Sequence, residues 1–354
     1  MIDLRDWSDY VKIEKNGTSK DLPIQLGNTI AVDGYVEGKE IGIITHFHED
    51  HMGYLDDATR YEKILMTGTT KKIAIALKNS RKFRNNFKEM AYGSDTFTTK
   101  QGEKITLYDA DHIEGSAQVL VEIDNKRILY SGDFCFPSAD TPKCDILVLD
   151  ASHGNSKLFN QKIDKKSIFR SLLDEITQRM WRKKEPILIV ASRGTLHEIM
   201  DYLDKGNEDS FLVKDIPFIS KSDEFVIRDA LYGKQDERKY IDISSPEGNR
   251  IIRNKSKAII FQTTLPSATN TDGLYRIMFD RYAAFHKESP FFEKNESLLR
   301  VNTLAHSSYD GIIDYVDAVE PTMIITDGSR SGYAESLSVD ITTKFGTPAL
   351  SLPR

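Results

Sequence analysis

The chain has 354 residues, 39% hydrophobic and 29% charged, enough to bury one large core or two smaller ones. Its formal net charge of −6 excludes a protein that holds nucleic acid through bulk positive charge and leaves room only for a local basic path. No apolar run approaches the ~20 residues of a membrane-spanning helix, which argues against a membrane partner.

In chain order, residues 1–155 alternate short strands, turns and a few helices. The apolar run Ile41-Gly42-Ile43-Ile44 reads as a buried strand. Residues 71–88 carry Lys71, Lys72, Lys78, Arg81, Lys82, Arg84 and Lys88 with no acidic residue between them, and Phe83 and Phe87 stand at helical spacing. This predicts an amphipathic helix with a buried phenylalanine pair, whose basic face, above all Arg81, Lys82 and Arg84, is a candidate path for a polyanion. A strand ends near His112, where Gly115 permits close backbone approach, and another ends in Gly132-Asp133. Residues 159–185 read as helix from Ile168, Leu172, Leu173 and Ile176; 186–191 read as a buried strand and 195–204 as a helix. Residues 205–257 are polar and strand-poor. A strand follows at 258–262, a helix at 274–286, and strands around 298–305 and 322–326. There are no internal repeats, and periodicity alone gives a chain of mixed α and β structure.

The densest chemistry is Thr45-His46-Phe47-His48-Glu49-Asp50-His51-Met52-Gly53, immediately after the first of these strands. Four metal-ligand side chains, His46, His48, Asp50 and His51, lie within six residues in the pattern H-x-H-x-D-H. Neutral imidazoles and an ionised carboxylate suit zinc. Ligands at a strand's end are held rigidly yet open to a cleft, and this spacing can serve two ions. Further donors must come from elsewhere, and His112 and Asp133 follow in order on strand ends. Alone, His112 reads as a structural histidine and Asp133 as a turn former; after H-x-H-x-D-H both become candidate ligands.

The order H-x-H-x-D-H, then His, then Gly-Asp resembles the metallo-β-lactamase fold, and Ile30-Ala31-Val32-Asp33 fits its early strand-end aspartate. The strings "DADHIEGSAQVLVE", "YSGDF", "ILVLDASHG", "PILIVASRGTLHEIMDYL", "LAHSSYDGIIDYV" and "PTMIITDGSRSG" resemble its β-CASP branch, most of all the Artemis-type DNA cross-link repair nucleases. The resemblance spans about Ile30 to Gly328. It implies an α/β fold: a four-layer αββα platform from 1–155 and 302–354, with a β-CASP cap inserted at 156–301. It implies one or two zinc ions, or manganese or another divalent metal. His46, His48 and His112 would hold one ion, Asp50 and His51 the second, and Asp133 both. His306 would be the proton donor, with Glu198 on its other ring nitrogen, and Asp33, Tyr309 and Asp150 would support the ligands. Ser307 and Ser308 would bind phosphate, although Ser308 equally reads as a helix cap ahead of Gly311. Asp327 stands where RNA-processing members carry histidine and DNA-processing ones commonly valine; it reads equally as a further ligand and as a turn aspartate.

The function implied is a metal-dependent nuclease, exonuclease-like, acting on DNA in preference to RNA in a repair role. The alternatives are a β-CASP ribonuclease and a small-molecule hydrolase of the same fold, such as a lactonase or thioesterase. A non-catalytic nucleic-acid-binding subunit is a further class. The start of the chain lacks a signal-peptide pattern, and the only cysteines, Cys135 and Cys144, read as free thiols. The expected location is therefore cytoplasmic, or nuclear in a eukaryote. His197 and His286 are expected to be structural or exposed, and His153 has no assigned role.

Overall fold

The computed structural model describes residues 6–13, 22–52, 55, 60–77, 86–159, 165–182, 186–205, 215–234, 239–263, 273–280, 291–302 and 305–353. It forms two compact units, one of residues 1–160 and 305–354 and one of residues 161–304. Among the described residues no helix is long and apolar enough to cross a membrane. Both cysteines are free.

The first unit contains two sheets. One runs in the order Val11–Ile13, Ile24–Leu26, Ile30–Val32, Ile41–Ile43, Lys63–Met66, Phe87–Glu89. The other runs Ala349–Leu352, Met323–Asp327, Ile146–Asp150, Lys126–Tyr130, Ala117–Ile123, Lys104–Asp109, Thr96–Thr98. Strand period 2 sends alternate residues of the second sheet's central strands to two buried faces. Val119, Val121, Ile146, Val148 and Ile325 pack with Ile30, Ile41 and Leu65 of the first sheet. Alternate residues Leu120, Leu147, Leu149 and Ile324 pack with Ile312, Val316, Leu337 and Ile341 of the helices Tyr309–Val319 and Ala334–Phe345. Helix Gly68–Leu77 lies on the other sheet's side, beside strand Phe87–Glu89, and buries Ile73 and Ala74. The result is the four-layer αββα platform.

The second unit is one sheet in the order Tyr240–Asp242, Phe218–Ser220, Ile259–Gln262, Ile187–Val190, Tyr275–Asp280, Leu298–Asn302, Phe291–Lys294. Every neighbouring pair is parallel except the last. Helices cover it, and alternate residues of its central strands feed two separate cores.

Three sequence expectations change. Residues 275–280 are a strand, not a helix, because Tyr275 and Ile277 alternate into the sheet core against Ile187 and Ile189. The polar stretch 205–257 holds strands Phe218–Ser220 and Tyr240–Asp242 and helices Ser222–Tyr232 and Pro246–Arg253. Phe87 is on a strand, paired in register with Ile64, so the basic stretch is not one continuous helix. Arg81, Lys82, Arg84 and Phe83 lie outside the described residues, as does His286.

Candidate metal centre

The ends of strands Ile41–Ile43, Lys104–Asp109 (leading to His112) and Lys126–Tyr130 and the starts of two helices build the site. His46 and His48 follow strand Ile41–Ile43, and Asp50 and His51 stand on the short helix Glu49–Met52. Asp133 follows strand Lys126–Tyr130 through Gly132, whose φ of +54° turns the chain and whose missing Cβ would stand 3.0 Å from the Ala117 carbonyl oxygen. His306 precedes helix Tyr309–Val319.

Ligand-type atoms of His46, His48, His112 and Asp133 all lie within 4.8 Å of one another. His46 Nε2 is 2.9 Å from His48 Nδ1 and 3.8 Å from Asp133 Oδ2. His112 Nε2 is 3.3 Å from His48 Nδ1 and 3.5 Å from Asp133 Oδ2. The outward contacts fix which nitrogens carry protons. His112 Nδ1 faces the Ala305 carbonyl oxygen, which can only accept, so the proton is on Nδ1. The Thr45 hydroxyl donates to Asp33 Oδ2 at 2.7 Å, so it accepts from His46 Nδ1 at 3.0 Å. His51 Nδ1 likewise donates to Asp33 Oδ2 at 2.8 Å. The lone pairs of His46 and His112 Nε2 therefore converge on one point, and these outer partners hold the rings in place. Burial, reinforced by the neighbouring imidazoles, pulls the pKa of His46 and His112 well below the ordinary histidine value and keeps both rings neutral. Burial also raises Asp133. Neutral imidazoles and a carboxylate with convergent lone pairs fit a divalent cation.

Asp33 is the hub of the supporting layer. It is fully buried and left-handed (φ 52°), and it accepts from Thr45 N–H at 2.8 Å as well as from Thr45 Oγ1 and His51.

His306 sits beside this group. Its Nε2 is 3.9 Å from Asp133 Oδ2 and its Nδ1 donates to Asp150 Oδ2 at 3.2 Å. Asp150 thus occupies Nδ1 of His306; Glu198 lies half-buried on helix Thr195–Lys205 of the other unit. Burial pushes Asp150 up, but hydrogen bonds from His306 and Ser152 outweigh it and hold the carboxyl down at about 2. Asp133, Asp150 and His306 form a second group with metal-ligand spacing.

Other expected residues fall elsewhere. Asp50 is exposed, with Oδ2 3.5 Å from His51 Nε2 and 4.0 Å from Arg330 Nε, and it joins neither metal-ligand group. Asp327 also joins neither: its Oδ1 accepts from Ser329 N–H at 2.8 Å, and its Oδ2 is 3.8 Å from Arg330 Nη1, so it is a turn former and ion-pair partner. Ser307 is buried and its hydroxyl is spent on the Phe136 N–H and the Phe134 carbonyl. Ser308 caps its helix by accepting from Gly311 N–H at 3.1 Å. Tyr309 donates to Asp340 at 2.9 Å, away from the ligands. His153 donates to the Ser307 carbonyl at 2.8 Å and stacks on Phe159. The residue sequence reasoning missed is Arg330, which lies in a Ser/Gly loop with no local signal.

No family model matches the chain. Among curated proteins it is 24% identical over 238 residues to the RNase J-like protein of Methanocaldococcus jannaschii, covering 60% of this chain and 53% of that one. It is 27% identical over 197 residues to Endoribonuclease YSH1 of Mycosarcoma maydis, covering 46% and 22%. An uncharacterized protein in lig 3'region of Acidianus ambivalens is 32% identical over 108 residues, 30% of this chain and 74% of that one. The first two relatives are nucleases of the β-CASP metallo-β-lactamase family, whose fold this chain shares. The chain spans about half or less of the length of the first two relatives. It also shares its fold with a crystal structure of a protein of unknown function from Enterococcus faecalis, with TM-score 0.59 and 11% identity over 94% of this chain and 95% of the other.

Proposed function

We propose that this β-CASP chain is a metal-dependent phosphodiester hydrolase acting on nucleic acid, with RNA ahead of DNA as substrate. The convergent lone pairs of His46 and His112, beside His48 and Asp133, carry the reading, because proton-fixed imidazoles around a carboxylate favour a metal site over a packing arrangement. Zinc suits this donor set, and manganese is the second candidate. A divalent ion there would supply Lewis-acid polarisation of the phosphoryl oxygens and lower the pKa of water toward neutrality. Asp150, ionised and bonded to His306 Nδ1, favours the protonated ring and aims Nε2 toward Asp133. His306 is then placed to give its Nε2 proton to the leaving oxygen. The inserted unit serves as the β-CASP cap.

The choice of RNA rests on relatives whose names designate ribonucleases. It replaces the Artemis-like DNA preference, because these relatives' names designate RNA and not DNA cleavage. Incubating end-labelled single-stranded RNA and DNA of identical sequence with zinc- or manganese-loaded protein separates the two. We expect metal-dependent cleavage of RNA, slower by roughly 100- to 10,000-fold in His306→Ala, which keeps its metal. Preferential cleavage of DNA restores the repair-nuclease reading, and cleavage of neither by metal-loaded protein points to a small-molecule substrate.

A further inference from the structure

The chain as a whole carries a net charge of −6, yet one edge of the inserted unit has the opposite sign. From Gly248 to Thr271 there is no acidic residue, and Arg250, Arg253, Lys255 and Lys257 follow one another closely. All four are exposed. The helix Pro246–Arg253 explains the first two. It buries Ile251 in the sheet's second core and packs Ile252 against that core, so Arg250 and Arg253, three apart on the opposite face, stand side by side in solvent. Glu247, one turn earlier, is held by Lys239 at 2.6 Å. Among the described residues no ion pair engages Arg250, Arg253 or Lys255. Lys257 stands just ahead of strand Ile259–Gln262.

Cations in a helix's last turn complement its dipole, which accounts for Arg250 and Arg253 by themselves. Lys255 lies beyond the helix and is not explained this way. Ser256 N–H donates to the Ile251 carbonyl at 2.9 Å and Lys255 N–H to the Ile252 carbonyl at 3.1 Å, a closure that puts Lys255 in the left-handed region with φ 49°. Helices that end in this pattern ordinarily place glycine there, because a Cβ is unfavourable in that conformation. Here the position keeps a charge instead. Its Nζ extends over Gly273, ahead of strand Tyr275–Asp280, where a Cβ would stand 2.5 Å from it. Positive charge thus continues from the helix to the approach of that strand. No aromatic residue lies between Ser244 and Lys257, so the surface offers charge without stacking. We propose that Arg250, Arg253, Lys255 and Lys257 bind the phosphate backbone of single-stranded nucleic acid, without base preference, on a surface that shares no residue with the candidate metal centre. The choice of occupant rests on the nucleic-acid reading above.

The test measures binding apart from cleavage. The full chain, stripped of metal by a chelator, is titrated with a fluorescein-labelled oligouridylate at graded salt. In a variant combining Arg250→Gln, Arg253→Gln and Lys255→Gln, the slope of log affinity against log salt should be shallower by about 2, from about 0.7 for each lost phosphate contact, and affinity at low salt should fall at least about tenfold. Lys255→Gly should make the slope shallower by about 0.7 and yet unfold at a higher urea concentration than wild type, since glycine suits the left-handed position. Both variants should keep wild-type zinc affinity. An unchanged slope in the folded triple variant overturns the proposal, as does a Lys255→Gly protein that gains stability and loses no affinity; if the triple variant does not fold, Lys255→Gly decides alone. Loss of binding to phosphatidylserine vesicles with oligouridylate binding intact would assign the surface to lipid and overturn it too. A shallower slope in the variant, beside a metal-loaded wild type that cuts no nucleic acid, refutes the hydrolase and leaves the surface standing.

Discussion

Each unit of the chain buries histidines, and the two sets are opposites. In the first unit His46 and His112 turn their protons outward to Thr45 and Ala305 and their lone pairs inward to each other's neighbourhood. In the second, His197 is equally buried, but its Nδ1 accepts from the Gly194 N–H at 3.2 Å and its Nε2 lies 3.2 Å from Glu224 Oε2. Arg193 grips the same carboxylate at 2.9 Å. The second set is a closed hydrogen-bonded and ionic circuit; the first directs its free acceptors at a common point. Burial lowers the pKa of all three rings, so neither burial nor titration distinguishes a metal site from a structural cluster. The direction of the lone pairs does.

Mutations can break this contrast, beginning where the effect should be largest. His46→Ala removes an inward nitrogen. It should weaken zinc binding by more than the roughly 100-fold that loss of an outer partner costs, read by competition against a chromogenic chelator, with unfolding of the second unit unchanged. Asp33→Asn keeps the ligands but weakens the acceptor that orders His51 and Thr45, and should cost roughly 10- to 100-fold in the same assay. Equal zinc affinity in Asp33→Asn and wild type would show that the supporting layer is idle. Glu224→Gln should leave zinc affinity unchanged and instead destabilise the protein by about 3 kcal/mol in urea unfolding, because it removes the buried charge that the half-buried Arg193 and His197 both meet.

The same carboxylate sets a pH test. Burial pushes Glu224 up, but hydrogen bonds from His197 and Arg193 outweigh it and hold the group at about 2, against an ordinary 4.5. A depressed carboxyl contributes fully above its unfolded value and progressively less as it protonates in the fold. Its contribution is therefore complete above pH 4.5 and lost as the pH falls toward 2. The urea midpoint of wild type should drop more steeply across that window than that of Glu224→Gln; parallel profiles would remove the pair from the acid response.

How much of this was legible follows from how local each signal is. His46, His48, His112 and Asp133 announce themselves because each closes a short apolar strand. The platform's strands were legible for the same reason. Asp33 and Asp150 were visible as strand-end carboxylates, but which ring each would hold was not, since that depends on how distant loops meet. Asp150, which His306 Nδ1 meets, is 156 residues away. Arg330 left no trace at all: its hydrogen bond to Asp33 spans 297 residues, and a lone arginine among Ser and Gly looks like any surface loop. The strand at 275–280 is hidden in the sequence because Met278 and Phe279 break the alternation that Tyr275, Arg276 and Ile277 begin.

One backbone hydrogen bond has a wider consequence. Tyr309 N–H donates to the Phe159 carbonyl at 2.7 Å, joining the chain where it leaves the platform to the chain where it returns. Just ahead of that tie, Ala305 fixes His112 and His306 enters the site. To the platform, the 144-residue excursion from 161 to 304 is thus a loop already closed at its base. Closing a longer loop costs little more, about 0.6 kcal/mol per doubling of length. The inserted unit can therefore lengthen, shorten or diversify over evolutionary time while the atoms of the candidate metal centre keep their places.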